Sequence, residues 1–163
     1  METQNNKTTL FIADCNQGKE LAEIFKKDSK FEVLGVSADG AETLSEIKKN
    51  TPDILLMDVM LPSLDGFALI ENIQNSKSLV KKPKIVVVSS LTHEGFITKA
   101  MQLGVSYFMI KPVDEKILLD RLSEIASLDK PIITSIMSNE NSGENIAAKY
   151  KAKITEEKIT NIF

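Results

Sequence analysis

The stretch Ile54-Leu55-Leu56-Met57-Asp58-Val59-Met60-Leu61-Pro62-Ser63-Leu64-Asp65-Gly66 passes from an unbroken apolar run to an acid, and then to a loop marked by Pro and Gly. Four consecutive apolar residues leave no polar face, so both sides must be covered, as in a central strand of a parallel sheet. Ile85-Val86-Val87-Val88 repeats the pattern. Outward from these two runs, short apolar segments alternate with amphipathic ones up to about Leu128, the order expected of a parallel α/β sheet. The expected strands are Thr9 to Ala13, Glu32 to Val36, Ile54 to Met57, Ile85 to Val88 and Tyr107 to Ile110.

Between the strands, Leu21, Ile24 and Phe25 keep helical spacing, as do Leu44 with Ile47, Leu69 with Ile73, and Ile97 with Met101. Leu118, Leu119, Leu122 and Ile125 predict a fifth helix. Asn16, Asp39 and Asp114 stand where helices begin and offer oxygens to the first free amides, while Gly104 fits a helix stop. Short loops and right-handed crossovers then predict a doubly wound five-stranded parallel sheet of strand order 2-1-3-4-5.

The chain has 163 residues, enough for one compact domain with an extension. Apolar residues form 42% and charged residues 26%, a globular balance, and a formal net charge of -3 gives no bulk positive field for nucleic acid. Met1 to Lys7 is polar and Asp14 cuts the run that follows, so neither a signal peptide nor a membrane span is expected. The lone Cys15 has no intramolecular disulfide partner, in keeping with a reducing, cytoplasmic location. The first domain is expected over 1–128. Residues 129–150, including Ser138-Asn139-Glu140-Asn141-Ser142-Gly143, have little to bury and read as a linker. Over 151–163, Thr155, Glu156 and Glu157 look like a helix start, with Ile159, Ile162 and Phe163 on one face.

Ligands of a doubly wound sheet bind beyond the carboxyl ends of its strands. Asp14-Cys15, Asp58, Ser89-Ser90 and Lys111-Pro112 end strands one, three, four and five, so two acids, a hydroxyl and an amine are expected on one rim. A carboxylate can accept a phosphoryl group if the negative charge of the donor is offset. Asp14 and Asp58 would hold Mg²⁺, with the Met60 backbone carbonyl as a further hard oxygen. Asp58 would also be the nucleophile, and Ser89 and Lys111 would bind phosphoryl oxygens. His93 has no partner at metal-ligand spacing and reads as a surface residue at a helix start.

At these residues the sequence resembles the response-regulator receiver family over roughly Lys7 to Leu128, and within it the receivers of sporulation transcription regulators of spore-forming bacteria. Asp58 through Gly66, with Pro62, matches the phosphoacceptor loop. Ser89 falls at the family's hydroxyl position, Lys111-Pro112 at its lysine and usually cis proline, and Phe108 at its switch aromatic. The narrower likeness rests on Gly104-Val105-Ser106-Tyr107-Phe108-Met109-Ile110-Lys111-Pro112 and on Ile159-Thr160-Asn161-Ile162-Phe163, which resembles the opening of a DNA-binding output domain whose helical bulk is missing. The resemblance implies a flavodoxin-like (βα)5 receiver, a signalling phosphoacceptor rather than an enzyme. It implies a histidine-containing phosphotransfer protein or histidine kinase as partner, a homodimer on activation, and DNA contact only through the missing output domain. Receivers of this kind usually carry a second acid where Cys15 stands, and a thiol is a poor Mg²⁺ ligand.

Cys15 therefore keeps a second reading open, a pseudo-receiver that works as a dimerisation or interaction module without phosphorylation. The acidic surroundings expected of its thiol favour an inert residue over a redox sensor. A nucleotide-binding enzyme on a related fold is disfavoured because Asp14-Cys15-Asn16-Gln17-Gly18 has too few glycines for a phosphate loop.

Overall fold

A computed structural model of the chain describes residues 6–128. The five apolar runs form β1 (Thr8–Ala13), β2 (Phe31–Ser37), β3 (Ile54–Met57), β4 (Lys84–Ser89) and β5 (Tyr107–Ile110). They alternate with α1 (Gly18–Lys26), α2 (Gly40–Asn50), α3 (Gly66–Asn75), α4 (Glu94–Gln102) and α5 (Glu115–Ser127). All neighbouring strands are parallel, in the order β2-β1-β3-β4-β5, as expected. The linker expected over 129–150 and the output-domain start over 151–163 lie outside the described residues. Among the described residues no helix is long and apolar enough to cross a membrane.

The period of two in each strand divides the core between the sheet's two faces. Phe11, Leu55, Met57, Ile85, Val87 and Phe108 pack on one face with Ile47 of α2, Leu69, Ile70 and Ile73 of α3, and Ile97 of α4. Leu10, Ile12, Ile54, Leu56, Val86 and Val88 pack on the other with Leu21 and Phe25 of α1 and Leu118, Leu122 and Ile125 of α5. Each such side chain contributes about 1.5–3 kcal/mol by leaving water. Coverage of both faces is why β3 and β4 needed no polar alternation.

Helix ends are settled locally. Asp39 accepts from the Glu42 amide and Asp114 from the Ile117 amide, as their positions predicted. Asn16 does not cap α1. The cap position is Gln17, without a side-chain bond, and the Asp14 carboxylate instead accepts from the Asn16 and Gln17 amides. Gly104 lies just beyond α4 with φ of 84°. Helix α5 has no basic residue in its last turn, and Lys84 at the start of β4 supplies the cation, donating to the Ile125 carbonyl at 2.8 Å and to that of Leu128.

The opposite, amino-terminal end of the central strands is tied by Asp53, which accepts from the Thr9 amide at 2.8 Å and the Thr9 hydroxyl at 3.0 Å and pairs with Lys81. Burial alone would raise the Asp53 pKa, but the Lys81 ammonium and the Thr9 donors outweigh it and hold the carboxyl below its ordinary value. A depressed folded pKa gives stability that is present above the ordinary aspartate value and lost as pH falls through the folded one. Asp53→Ala should therefore cost about 1–2 kcal/mol at pH 7, with the ion pair screened by water. In urea denaturation the gap from wild type should close below about pH 4.

Candidate functional site

The strand register brings four chemically distinct side chains to one rim. Ala13 lies opposite Met57, Met57 opposite Val87, and Ser89 opposite Ile110, so Asp14, Asp58, Ser89 and Lys111 fall at neighbouring strand ends. Backbone bonds carry the ladder one residue further: the Asp58 amide donates to the Ala13 carbonyl at 2.9 Å and the Lys111 amide to that of Ser89 at 3.0 Å. The peptide bond from Lys111 to Pro112 is cis.

The side chains meet around one ammonium. Lys111 Nζ lies 2.7 Å from Asp14 Oδ2 and 2.9 Å from Asp58 Oδ2. Asp58 Oδ1 accepts from the Ser89 hydroxyl at 2.9 Å and the Met60 amide at 3.0 Å. Asp14 Oδ1 accepts from the Asn16 and Gln17 amides, both at 2.8 Å. Asp14, Asp58 and Ser89 are 3%, 2% and 0% exposed, so these acids are buried and every carboxylate oxygen has a donor. Burial alone would lower the Lys111 pKa, yet the hydrogen bonds and charges of Asp14 and Asp58 prevail and raise it above the ordinary lysine value.

Lys111 is more enclosed than a lysine standing free on the rim: its side chain is 11% exposed. Asp14 divides its carboxylate, one oxygen holding the amides of the approach to α1 and the other the ammonium. Cys15 is exposed, and its thiol donates to the Met60 carbonyl at 3.2 Å. The Phe108 ring is buried beneath the rim in the core that also holds Val87 and Ile97. Ser90 is exposed, and the Ser89 hydroxyl oxygen additionally accepts the Leu91 amide. His93 caps α4, its Nδ1 accepting from the Gly95 amide. Sequence reasoning missed the backbone donors of Met60, Asn16 and Gln17, because an amide carries no residue-specific signal. It also missed a contact between Ser63 and Asp39, 24 positions apart.

The response regulator receiver domain profile matches residues 14–123. The chain belongs to the response regulator receiver family. Among solved structures, this receiver is similar to a DNA-binding response regulator of the LuxR family from Staphylococcus aureus, at 19% identity and TM-score 0.68, over 74% of this chain and 99% of that one. It is also similar to the response regulatory domain of protein mrkE from Klebsiella pneumoniae, at 25% identity and TM-score 0.64, over 73% and 95%. The CheX-CheY-BeF3-Mg²⁺ complex from Borrelia burgdorferi matches at 25% identity and TM-score 0.65, over 72% and 87%.

Removing Lys111 would leave two buried carboxylates without their shared cation. Lys111→Met should destabilise this receiver by about 3 kcal/mol in urea denaturation at pH 7. Because the folded pKa is raised, the lysine's stabilising contribution is complete at neutral pH and is lost as pH climbs through that raised value. The gap between wild type and variant should hold through pH 9 and narrow only beyond about 10.4.

Proposed function

We propose that this receiver is a phosphorylation-controlled switch in which Asp58 accepts the phosphoryl group. The observation that carries the reading is the Asp58 carboxylate itself, 2% exposed at the end of β3 and held by Ser89 on one oxygen and Lys111 on the other. In the reaction, Asp58 Oδ2 attacks the phosphorus of a phosphohistidine, the new P–O bond forms as the P–N bond breaks, and the leaving imidazole takes up a proton. Lys111 must release Oδ2 for the attack, and its ammonium then pairs with a phosphoryl oxygen. The Ser89 hydroxyl, already beside Asp58, donates to another. The partner is a histidine-containing phosphotransfer protein or a histidine kinase.

The ammonium that stands between the acids bears on whether this donor set suits Mg²⁺. One cationic atom within 2.9 Å of both Asp14 and Asp58 marks a place where both carboxylates already accommodate positive charge. With the Met60 carbonyl they offer three hard oxygens, and Mg²⁺ commonly uses one or two carboxylates with water. Two carboxylates and a backbone carbonyl make up this set, and among the described residues no group of three His, Cys, Asp or Glu side chains is placed to hold a metal ion. Bound there, Mg²⁺ would neutralise charge on the donor's phosphoryl oxygens. The similar Borrelia burgdorferi structure holds BeF3 and Mg²⁺.

Phe108, next to the site on β5, would be the aromatic that follows the phosphorylated state, and homodimerisation would accompany activation. Transcriptional output is part of this reading, and a DNA-binding response regulator of the LuxR family shares the receiver fold. Control of sporulation genes remains the narrower reading, carried by Gly104 through Pro112 and Ile159 through Phe163.

A second reading has an observation of its own. The Cys15 thiol occupies the Met60 carbonyl and Lys111 satisfies both acids, so the rim closes without a metal, as a pseudo-receiver would. Incubation with acetyl phosphate and Mg²⁺ followed by mass measurement separates the two: a phosphoryl adduct is expected in wild type and absent in Asp58→Asn, which keeps the fold. No adduct in wild type would leave the pseudo-receiver. Cys15→Asp should add a hard anionic oxygen and tighten Mg²⁺ binding about tenfold, roughly 1.4 kcal/mol, in titration calorimetry. Equal affinity would show that the thiol does not limit the site.

A further inference from the structure

The loop from β3 to α3 carries Met60, whose amide holds Asp58 Oδ1 and whose carbonyl faces the rim. This loop is bound outward to the start of α2. The Gly40 amide donates to the Pro62 carbonyl at 3.1 Å, and the Ser63 hydroxyl donates to Asp39 Oδ2. Asp39 divides its carboxylate, since Oδ1 accepts from the Glu42 amide at 2.9 Å and caps α2. The Ser63 hydroxyl, followed by the Glu42 amide, holds the Asp39 carboxyl below its ordinary pKa.

The approach is close as well as polar. A Cβ added at Gly40 would come 1.8 Å from the Leu64 carbonyl oxygen, so no side chain fits unless the loop shifts. Ser63 has φ of 69°, a left-handed conformation that a residue with a Cβ seldom takes without a local reason. Its hydroxyl bond to Asp39 supplies that reason. The junction is anchored from below by Ser37 at the end of β2, which is buried, donates to Glu42 at 2.6 Å and accepts from the Asp39 amide at 3.1 Å.

We propose that Asp39 and Ser63 are positioning residues that fix the β3–α3 loop, and with it the Met60 backbone and the Asp58 carboxylate, in the arrangement needed for phosphoryl acceptance. Neither residue touches the reacting atoms. Each acts through the loop, on the same site as the proposed function and resting on that reading. Displacement of a reacting group by about 1 Å can cost as much as a hundredfold in rate, so a clamp of this kind bears on chemistry from a distance.

The test uses the full chain with Ser63→Ala, Asp39→Ala, the double variant, and Asp39→Asn, which keeps a cap and a polar partner for Ser63. Amide hydrogen exchange at Gly40 and Met60 reads the clamp independently of phosphorylation. In Ser63→Ala, exchange at both should quicken about tenfold while β4 and α5 amides are unchanged, and Asp39→Asn should stay close to wild type. With acetyl phosphate and Mg²⁺, the maximal phosphorylation rate of Ser63→Ala should fall about five- to tenfold at unchanged KM for the donor. The double variant should be no slower than the worse single variant, since both break one contact. Unchanged Met60 exchange in Ser63→Ala, or strictly additive rate losses, would overturn the clamp. If wild type takes up no phosphoryl group, the proposed function fails, while amide exchange still decides whether the loop is held by Asp39 and Ser63.

Discussion

The rim depends on one ammonium shared by two acids. Asp14 and Asp58 end adjacent parallel strands, so the fold itself drives two carboxylates together at a place where they are almost wholly buried. Buried ions lose several kcal/mol of hydration each, and an ion pair repays this only with good geometry and further hydrogen bonds. Lys111 reaches both acids from β5, and backbone amides with Ser89 cover the remaining oxygens. Such a cluster is a poor source of net stability. Stability comes from the two apolar faces below it, and the rim is a polar arrangement that those faces can sustain.

Two carboxylates and one ammonium leave a formal charge of -1. An incoming phosphoryl group would add to it, so the site must recruit positive charge or redistribute what it has. Lys111 is the group able to do the second, because its ammonium already spans the two acids that a phosphoryl group on Asp58 would adjoin. Ser89 connects the same carboxylate to the Leu91 amide, on the way to α4. Any change in the bonding of Asp58 is thus felt first by Lys111 on β5 and by the loop after β4. Those are the elements through which a switch would leave the site.

Strand identity and order were legible because burial on both faces writes itself as unbroken apolar runs in β3 and β4. The rim residues were legible because each immediately ends such a run. The strand boundaries moved by a residue where a polar side chain lies at an edge, as with Thr8, Lys84 and Ser89. What the sequence did not show were contacts made by backbone or across long separations. Asn16 looked like a cap, but the buried Asp14 carboxylate takes the Asn16 and Gln17 amides and α1 begins one residue later, with Gln17 at the cap position. Lys84 drew no reading from the sequence, yet it closes the end of α5, 41 positions away from Ile125. Lys111 was placed on the rim from its position before Pro112, but its enclosure depends on the two acids it spans, which come from other strands.

The departure at Cys15 is better understood from its partner than from its own chemistry. A third acid at that position would face the Met60 carbonyl, adding negative charge to a region that already holds two carboxylates and would gain from a cation. The thiol instead donates to that carbonyl and adds no charge, so Lys111 serves as the cation of the two acids. A gain in the resting state and a lower cation affinity would then have one origin. A site that is less strained without metal has less to recover when metal arrives, because binding energy is the difference between the two states and not a property of the bound one. A thiol in place of an acid would move that balance toward the metal-free form, while Asp58 keeps its bonds to Ser89 and to the Met60 amide.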